Sequence, residues 1–277
     1  MKIFNKTKKK KVVLIVVIAV FIVLLVTAFY EELTVTKYSI ETDKVSEQLR
    51  IVLLTDLHSC YYGKEQEELL SKIEEQHPDI VLLVGDIADD VTPINGTVDL
   101  LKGMADRYLC FYVTGNHEFW SREVESIKNV FREYGVRVLE GESVTVGIKG
   151  QQINICGVDD PDVGEQIFQK QLENAFESIN EDLYTILMFH RPERFEAVSL
   201  NDCDLILSGH AHGGQWRIPF ILDGVYAPDQ GFFPKYTNGI YSMNGVKMLV
   251  SRGLHDAQRV PRIYNPPEVV VIDIVPQ

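Results

Sequence analysis

The chain has 277 residues, a formal net charge of −13, 45% hydrophobic residues and four cysteines. Its first 30 residues hold six lysines and no acid, so residues 31–277 carry 21 basic against 40 acidic side chains, a net of −19. Such a surface argues against a nucleic-acid binder, because phosphate neutralisation supplies most of that affinity. The length after residue 30 suits one large α/β domain.

The front end reads first. Lys2, Lys6, Lys8, Lys9, Lys10 and Lys11 precede a run without charge over 12–30. As a helix, 12–29 would span roughly 27 Å, close to the hydrocarbon thickness of a bilayer. This predicts a basic cytoplasmic tail over 1–11, a transmembrane signal-anchor helix over 12–30 and a domain over 31–277 outside the cytoplasm. Val26-Thr27-Ala28 offers a small-residue cleavage site, but the run is long for a signal peptide and an uncleaved anchor is expected.

Residues 33–40 read as a lead-in strand. Four short apolar runs follow, each of the kind that forms a strand buried on both faces. Residues 50–54 end in Thr55-Asp56-Leu57-His58, 79–84 in Gly85-Asp86, 109–113 in Thr114-Gly115-Asn116-His117-Glu118, and 184–189 in His190. Helical spacing lies between them, as over 65–76 with Leu69, Leu70 and Ile73 on one side. A fifth run, 205–207, ends in Ser208-Gly209-His210-Ala211-His212-Gly213-Gly214-Gln215. Alternating strands and helices predict a mixed sheet with its polar residues at the carboxyl edge, where ligands bind. Hairpins are expected around Lys149-Gly150 and around Asn244-Gly245, the latter a strong type I′ signal. The expected body is a four-layer αββα sandwich of two mixed sheets flanked by helices.

The donors at those strand ends are Asp56, His58, Asp86, Asn116, His190, His210 and His212. Carboxylate and imidazole together suit manganese, iron, zinc, cobalt or nickel better than calcium. Seven donors exceed one tetrahedral zinc and suit two divalent ions sharing a carboxylate. With two aspartates the occupied site stays positive, which favours a phosphate anion. Each residue alone has a plainer explanation, since a strand-end Asp is as often a helix cap or turn residue; it is the joint pattern that carries weight.

Asp-x-His, Gly-Asp, Gly-Asn-His-Glu, a lone His and Gly-His-x-His, in this order, resemble the calcineurin-like metallophosphoesterase superfamily over about residues 49–274. The Gly-His-Ala-His-Gly-Gly-Gln form, Gly157-Val158-Asp159-Asp160-Pro161 and Asn265-Pro266-Pro267-Glu268-Val269 resemble its membrane-associated bacterial branch. The resemblance implies a first ion on Asp56, His58 and His212, a second on Asn116, His190 and His210, and Asp86 bridging. It implies catalytic roles for Asp86 and for His117, which would face the phosphate as an acid or charge stabiliser. Manganese is the first expectation for the ions. The expected reaction is hydrolysis of a phosphodiester or pyrophosphate of the cell envelope by a hydroxide held between the two ions. A phosphomonoesterase and a noncatalytic, metal-containing binding module are the alternatives, and His117 discriminates, because a structural site does not need it.

Other residues are less specific. Asp159 and Asp160 read first as caps of a helix near 163–176, with a place at the site rim as the second reading. Arg252 is expected either at the substrate or in a surface ion pair. His255 stands where the family often carries glycine, and with His77 it reads as a residue without a role. The aromatic-rich segment 222–241 follows the histidine motif and should overhang the site. It reads as a packed loop or, through Phe232 and Phe233, as a contact with bilayer or lipid tail, so the substrate is expected to be a phosphoester of lipid-linked type. The four cysteines are expected as buried thiols, and Asn95-Gly96-Thr97 is a glycosylation sequon by pattern only.

Overall fold

A computed structural model describes residues 2–255 and 260–277; Met1 of the expected tail lies outside the described residues. In chain order the elements begin α1 (Lys2–Ala28), β1 (Thr34–Thr42), β2 (Leu49–Leu54), α2 (Glu67–Glu74), β3 (Ile80–Val84), α3 (Asn95–Met104) and β4 (Leu109–Val113). They continue through α4 (Asn116–Trp120), α5 (Val124–Glu133), β5 (Arg137–Val138), β6 (Glu142–Ile148), β7 (Gln151–Gly157), α6 (Glu165–Glu177) and β8 (Tyr184–Met188). The rest are α7 (Phe195–Val198), β9 (Leu205–Ser208), β10 (Tyr226–Ala227), β11 (Gly231–Phe232), β12 (Gly239–Met243), β13 (Val246–Val250) and β14 (Glu268–Pro276).

Two six-stranded mixed sheets form the body, ordered β1-β14-β2-β3-β4-β5 and β12-β13-β9-β8-β7-β6. The apolar runs work because successive side chains on a strand face opposite sides. On β2, Ile51 and Leu53 join Ile80, Leu82 and Phe111 in the core between the sheets, against Ile155, Ile186, Leu205 and Leu207 of the second sheet. The alternate residues, Val52, Leu54, Val81 and Leu83, face outward and pack on Leu69 and Ile73 of α2, Leu100 and Met104 of α3, and Phe131 of α5. On the far side Leu187 and Ile206 are covered by Phe168 and Leu172 of α6 and by Phe195 and Val198 of α7. The result is a mixed α/β body of two sheets flanked by helices. Both expected hairpins form, β6 with β7 and β12 with β13. At the second, Asn244 and Gly245 both take positive φ, 54° and 85°, as a type I′ turn requires.

The start of α2 differs from the sequence reading. The helix expected from residue 65 starts only at Glu67. Gln66 sits in the left-handed region at φ 65° with its amide buried, accepting from Tyr62 N at 2.9 Å and donating to the Cys60 and Gly96 carbonyls. Those bonds hold Gln66 out of the helix. Cys110, Cys156 and Cys203 are buried thiols, their pKa values pushed up to about 12 first by desolvation.

Lys9–Ala28 of α1, 20 residues, is long and apolar enough to cross a membrane, and its side chains lie exposed up to Thr27, with Ala28 buried. Its end is tied to the body. Tyr264 donates from its backbone N–H to the Ala28 carbonyl and from its hydroxyl to the Leu24 carbonyl, each at 2.8 Å.

Candidate metal centre

The carboxyl ends of both sheets meet at one place. Asp56 and His58 follow β2, Asp86 follows β3 and Asn116 opens α4 after β4; His190 follows β8, and His210 and His212 follow β9. Ligand atoms of Asp56, His58 and His212 lie within 4.8 Å of one another, and so do those of Asp86, His190 and His210. Asp86 Oδ2 stands between the groups, 3.8 Å from His58 Nε2 and 3.1 Å from His190 Nε2. The structure therefore brings together all the sequence-expected donors that carry charge or imidazole, and Asn116 joins them as a buried side chain at the same edge.

Getting them there strains the backbone. Asp56, His58, Asp86, His210 and His212 all have φ between 45° and 64°, a region costly for residues with a side chain and characteristic of functional sites. Two motif glycines leave room for the carboxylates. A Cβ on Gly115 would lie 2.2 Å from Asp86 Oδ1, and one on Gly209 would lie 2.4 Å from Asp56 Oδ2.

Orphaned atoms mark where ligands belong. Asp56 Oδ2, His58 Nε2, Asp86 Oδ2, Asn116 Oδ1 and His190 Nε2 are buried without a hydrogen-bond partner, although such burial ordinarily costs about 1–3 kcal/mol for each group. In the two aspartates and the two histidines the other atom is engaged. Asp56 Oδ1 accepts from His210 N and Asp86 Oδ1 from His117 N, both at 2.9 Å. His190 Nδ1 donates to the Val84 carbonyl at 2.9 Å, which leaves Nε2 for a ligand. His58 Nδ1 donates to Asp89 at 3.1 Å, and His210 Nε2 donates to Asp229 at 2.9 Å, which leaves Nδ1. This donor set, nitrogen and oxygen without thiolate, fits a pair of divalent cations.

His190 records the field of the two carboxylates. Burial works against its charged ring, but the charge of Asp86, 3.1 Å away, and then that of Asp56 outweigh that and lift the pKa to about 10. In the metal-free chain this charge stabilises the fold fully below the ordinary histidine value of about 6.5, and the contribution is lost as pH rises towards 10. An ion taking Nε2 must displace a proton. Metal addition to the chelated protein near pH 7.5 is expected to release protons, read by calorimetry in buffers of different ionisation enthalpy. A buffer-independent heat would remove His190 from the ligand set.

His117 lies beside these ligands at the rim of a cavity of about 280 Å³, walled by His58, Asp89, Asp90, His117, His212 and His255 among others. Its Nδ1 donates to Asp90 at 2.7 Å and approaches Asp89 at 3.0 Å, leaving Nε2 for the cavity. Burial opposes a charged ring here too, but the bond to Asp89, the charge of Asp86 and the bond to Asp90 raise the pKa to about 9. His255, expected to have no role, packs edge-on to His58 with ring centroids 4.7 Å apart and forms part of this wall.

Several contributors escaped the sequence reading. Glu118, wholly buried, accepts from the backbone N–H groups of Asp86 and Gly115 on one oxygen and of Ile87 and Ala88 on the other, at 2.8–3.0 Å. It ties the Asp86 loop to the Asn116 loop, and only its place in the Gly-Asn-His-Glu motif could have signalled that. Glu118→Ala would strand four buried N–H groups and is expected to cost about 3–5 kcal/mol, read as a lower urea midpoint in metal-free protein; a loss under about 1 kcal/mol would dismiss the clamp. Asp89, Asp90 and Asp229 orient His58, His117 and His210, and Arg191 holds Asp229 at 2.8 Å while pairing with Asp160 at 2.7 Å.

Two expectations resolve differently. Arg252 does not line the cavity; its guanidinium pairs with buried Glu268 at 2.7 Å and reaches the Thr34 and Thr36 hydroxyls at 3.3 Å. That contact is an ion pair, but a largely buried one and not the surface pair expected. Asp160 caps the turn after it, accepting from Asp162 N at 2.9 Å, and Asp159 is held by Thr114, Lys128 and Gln171. Both carboxylates are used within the protein.

Residues 49–214 match the calcineurin-like phosphoesterase family. An uncharacterised metallophosphoesterase of Campylobacter jejuni is 28% identical over 248 residues, 87% of this chain and 63% of that one. One of Aquifex aeolicus is 30% identical over 252 residues, 87% of this chain and 92% of that one. A bovine transmembrane protein with a metallophosphoesterase domain is 30% identical over 181 residues, 60% of this chain and 41% of that one. The chain thus spans under two thirds of the Campylobacter relative and nearly all of the Aquifex one. It belongs to the calcineurin-like phosphoesterase family, whose members are metal-dependent phosphoesterases.

Proposed function

We propose that this calcineurin-like phosphoesterase is a membrane-anchored two-metal enzyme that hydrolyses a phosphodiester or pyrophosphate of the cell envelope, with its catalytic domain outside the cytoplasm. The set of five orphaned ligand atoms around Asp86 carries the reading. Asp56, His58 and His212 would hold one ion, Asn116, His190 and His210 the other, with Asp86 shared; manganese is our first choice, because hard carboxylate and amide oxygens sit beside imidazoles. Such ions, when bound, polarise phosphoryl oxygens and make water a nucleophile at neutral pH.

The chain supplies the remainder. Glu118 and the strained loops fix the donors before substrate arrives, so little reorganisation accompanies reaction. His117 stands beside the centre with Nδ1 pinned and its ring held protonated by Asp89, Asp86 and Asp90. As water oxygen bonds to phosphorus and the ester P–O bond breaks, His117 Nε2 is placed to give the departing oxygen its proton.

Full-length protein, stripped and reloaded with manganese, is expected to hydrolyse bis-p-nitrophenyl phosphate faster than p-nitrophenyl phosphate. The reverse order would point to a monoesterase. Two bound ions with no turnover of either ester would favour a binding module whose metals are structural. The topology is tested separately: protease added to intact spheroplasts should remove the domain, and a protected domain would place it inside.

A further inference from the structure

A second cavity, of about 350 Å³, opens beside the metal centre and differs from it in chemistry. Its own walls are apolar and aromatic, from Trp216, Val225, Tyr226, Pro228 and Phe232. Three residues, His212, Gln215 and Val260, line both cavities, so the two share a wall that contains a metal-ligand candidate. Gln215 Nε2 donates to the Val260 carbonyl at 2.7 Å, and the Trp216 indole donates to the Pro261 carbonyl at 2.9 Å, which holds that wall in place. A molecule with phosphate at the histidines would meet hydrocarbon-like surface on this side.

The surroundings say where such a molecule comes from. At the cavity's rim Phe232 is 73% exposed, and Phe233 next to it in the chain is 70% exposed; Phe220 and Ile221, which follow the wall residue Trp216 in the chain, are more exposed still. Soluble surfaces rarely gather large apolar side chains in this way without a partner. The same rim lies next to the root of α1. Trp216 pairs with Ile263, Arg217 N donates to the Ile263 carbonyl at 2.9 Å, and the neighbouring Tyr264 makes both bonds to Leu24 and Ala28. A span that leaves the body at Ala28 sets this rim against the bilayer, with its exposed aromatics at the interface where such side chains settle.

We infer that the apolar cavity is a subsite for the hydrocarbon chain of a membrane lipid phosphoester, entered from the bilayer beside α1, with the phosphate at the shared His212–Gln215 wall. This rests on the phosphoesterase reading for its phosphate position, and it narrows the substrate class to esters that carry a long apolar group.

The test uses full-length protein in lipid nanodiscs, loaded with manganese, and alkylphosphonates from methyl to dodecyl as probes that cannot be hydrolysed. Each buried methylene is worth roughly a fourfold gain in affinity while the cavity fills. Dodecylphosphonate is expected to bind at least 100-fold more tightly than methylphosphonate. In Phe232→Asp and in Tyr226→Asp, both at exposed positions where folding is not at risk, that ratio should fall at least tenfold. Partition of the probe into lipid is common to all three proteins, so the difference between them isolates the cavity. Equal chain-length ratios in wild type and both variants would overturn the inference. Turnover of bis-p-nitrophenyl phosphate, measured beside it, keeps the two readings apart. A flat chain-length series with turnover removes the subsite alone. A rising series that both variants flatten, without turnover, keeps the subsite and removes the phosphoesterase.

Discussion

Asp86→Ala is expected to lose both ions together and to lower kcat/KM by on the order of 1,000-fold or more, the loss of several kcal/mol of charge stabilisation. Position is the reason. Asp86 Oδ2 lies 3.1 Å from His190 of one ligand group and 3.8 Å from His58 of the other; Asp56 Oδ1 also comes within 3.8 Å of His190 and His212, but that oxygen already accepts from His210 N. Its removal also takes away the carboxylate that holds His190 protonated in the metal-free chain. Two readings follow: ions per chain after dialysis by plasma emission, and manganese-dependent turnover. A circular dichroism melt guards against simple unfolding. If the variant keeps two ions, Asp86 is not the shared ligand, whatever happens to the rate.

Glu118→Ala provides the contrast. Glu118 holds four backbone amides and is not itself a candidate ligand, so its loss should appear mainly as destabilisation of the loops, and saturating manganese should recover part of the activity by binding the folded state. No such rescue is expected when the donor itself is missing, as in Asp86→Ala.

The strand-end donors were readable because buried strands and exposed ligands have opposite chemistry. Ile51, Val52, Leu53 and Leu54 are wholly buried, one pair towards each core, and an Asp two residues later has no apolar function. Five such endings in order point to a shared edge. Contacts that depend on tertiary placement left no such mark. Asp229 reaches His210 from 19 residues away, out of a loop without periodicity, and Arg191 meets it across 38. Arg252 follows the same strand edge as the candidate ligands, yet it turns to Glu268 at the start of β14, a pairing set by how β14 inserts between β1 and β2. His255 sits in no motif; Leu254, one residue earlier, donates its N–H to the Thr55 carbonyl at 2.9 Å, and Arg262 donates to the His255 carbonyl at 3.0 Å, contacts that bring the loop over His58. Local sequence carried the ligands; chain crossings carried their supports.

His117→Ala should behave unlike either loop or ligand variant. Two ions are expected to stay, because His117 Nδ1 is engaged by Asp90 and Asp89 and the backbone bond from His117 N to Asp86 survives the substitution. The rate should fall by roughly 100- to 10,000-fold, the usual share of a general acid, but only where the leaving group needs a proton. An alkyl ester leaves as a strongly basic alkoxide and should show the full loss. A p-nitrophenyl ester leaves as a stable phenolate and should show little. The pH profile carries the same signature. With its pKa lifted to about 9 by Asp89, Asp86 and Asp90 against the cost of burial, the ring is charged at neutral pH and loses its proton on the alkaline side. The wild-type rate on an alkyl diester should therefore fall as pH rises, at a point the bound ions will move downward, and that limb should be absent from His117→Ala. Equal losses on both leaving groups, with the alkaline limb intact, would make His117 a stabiliser of the bound phosphate and not the acid.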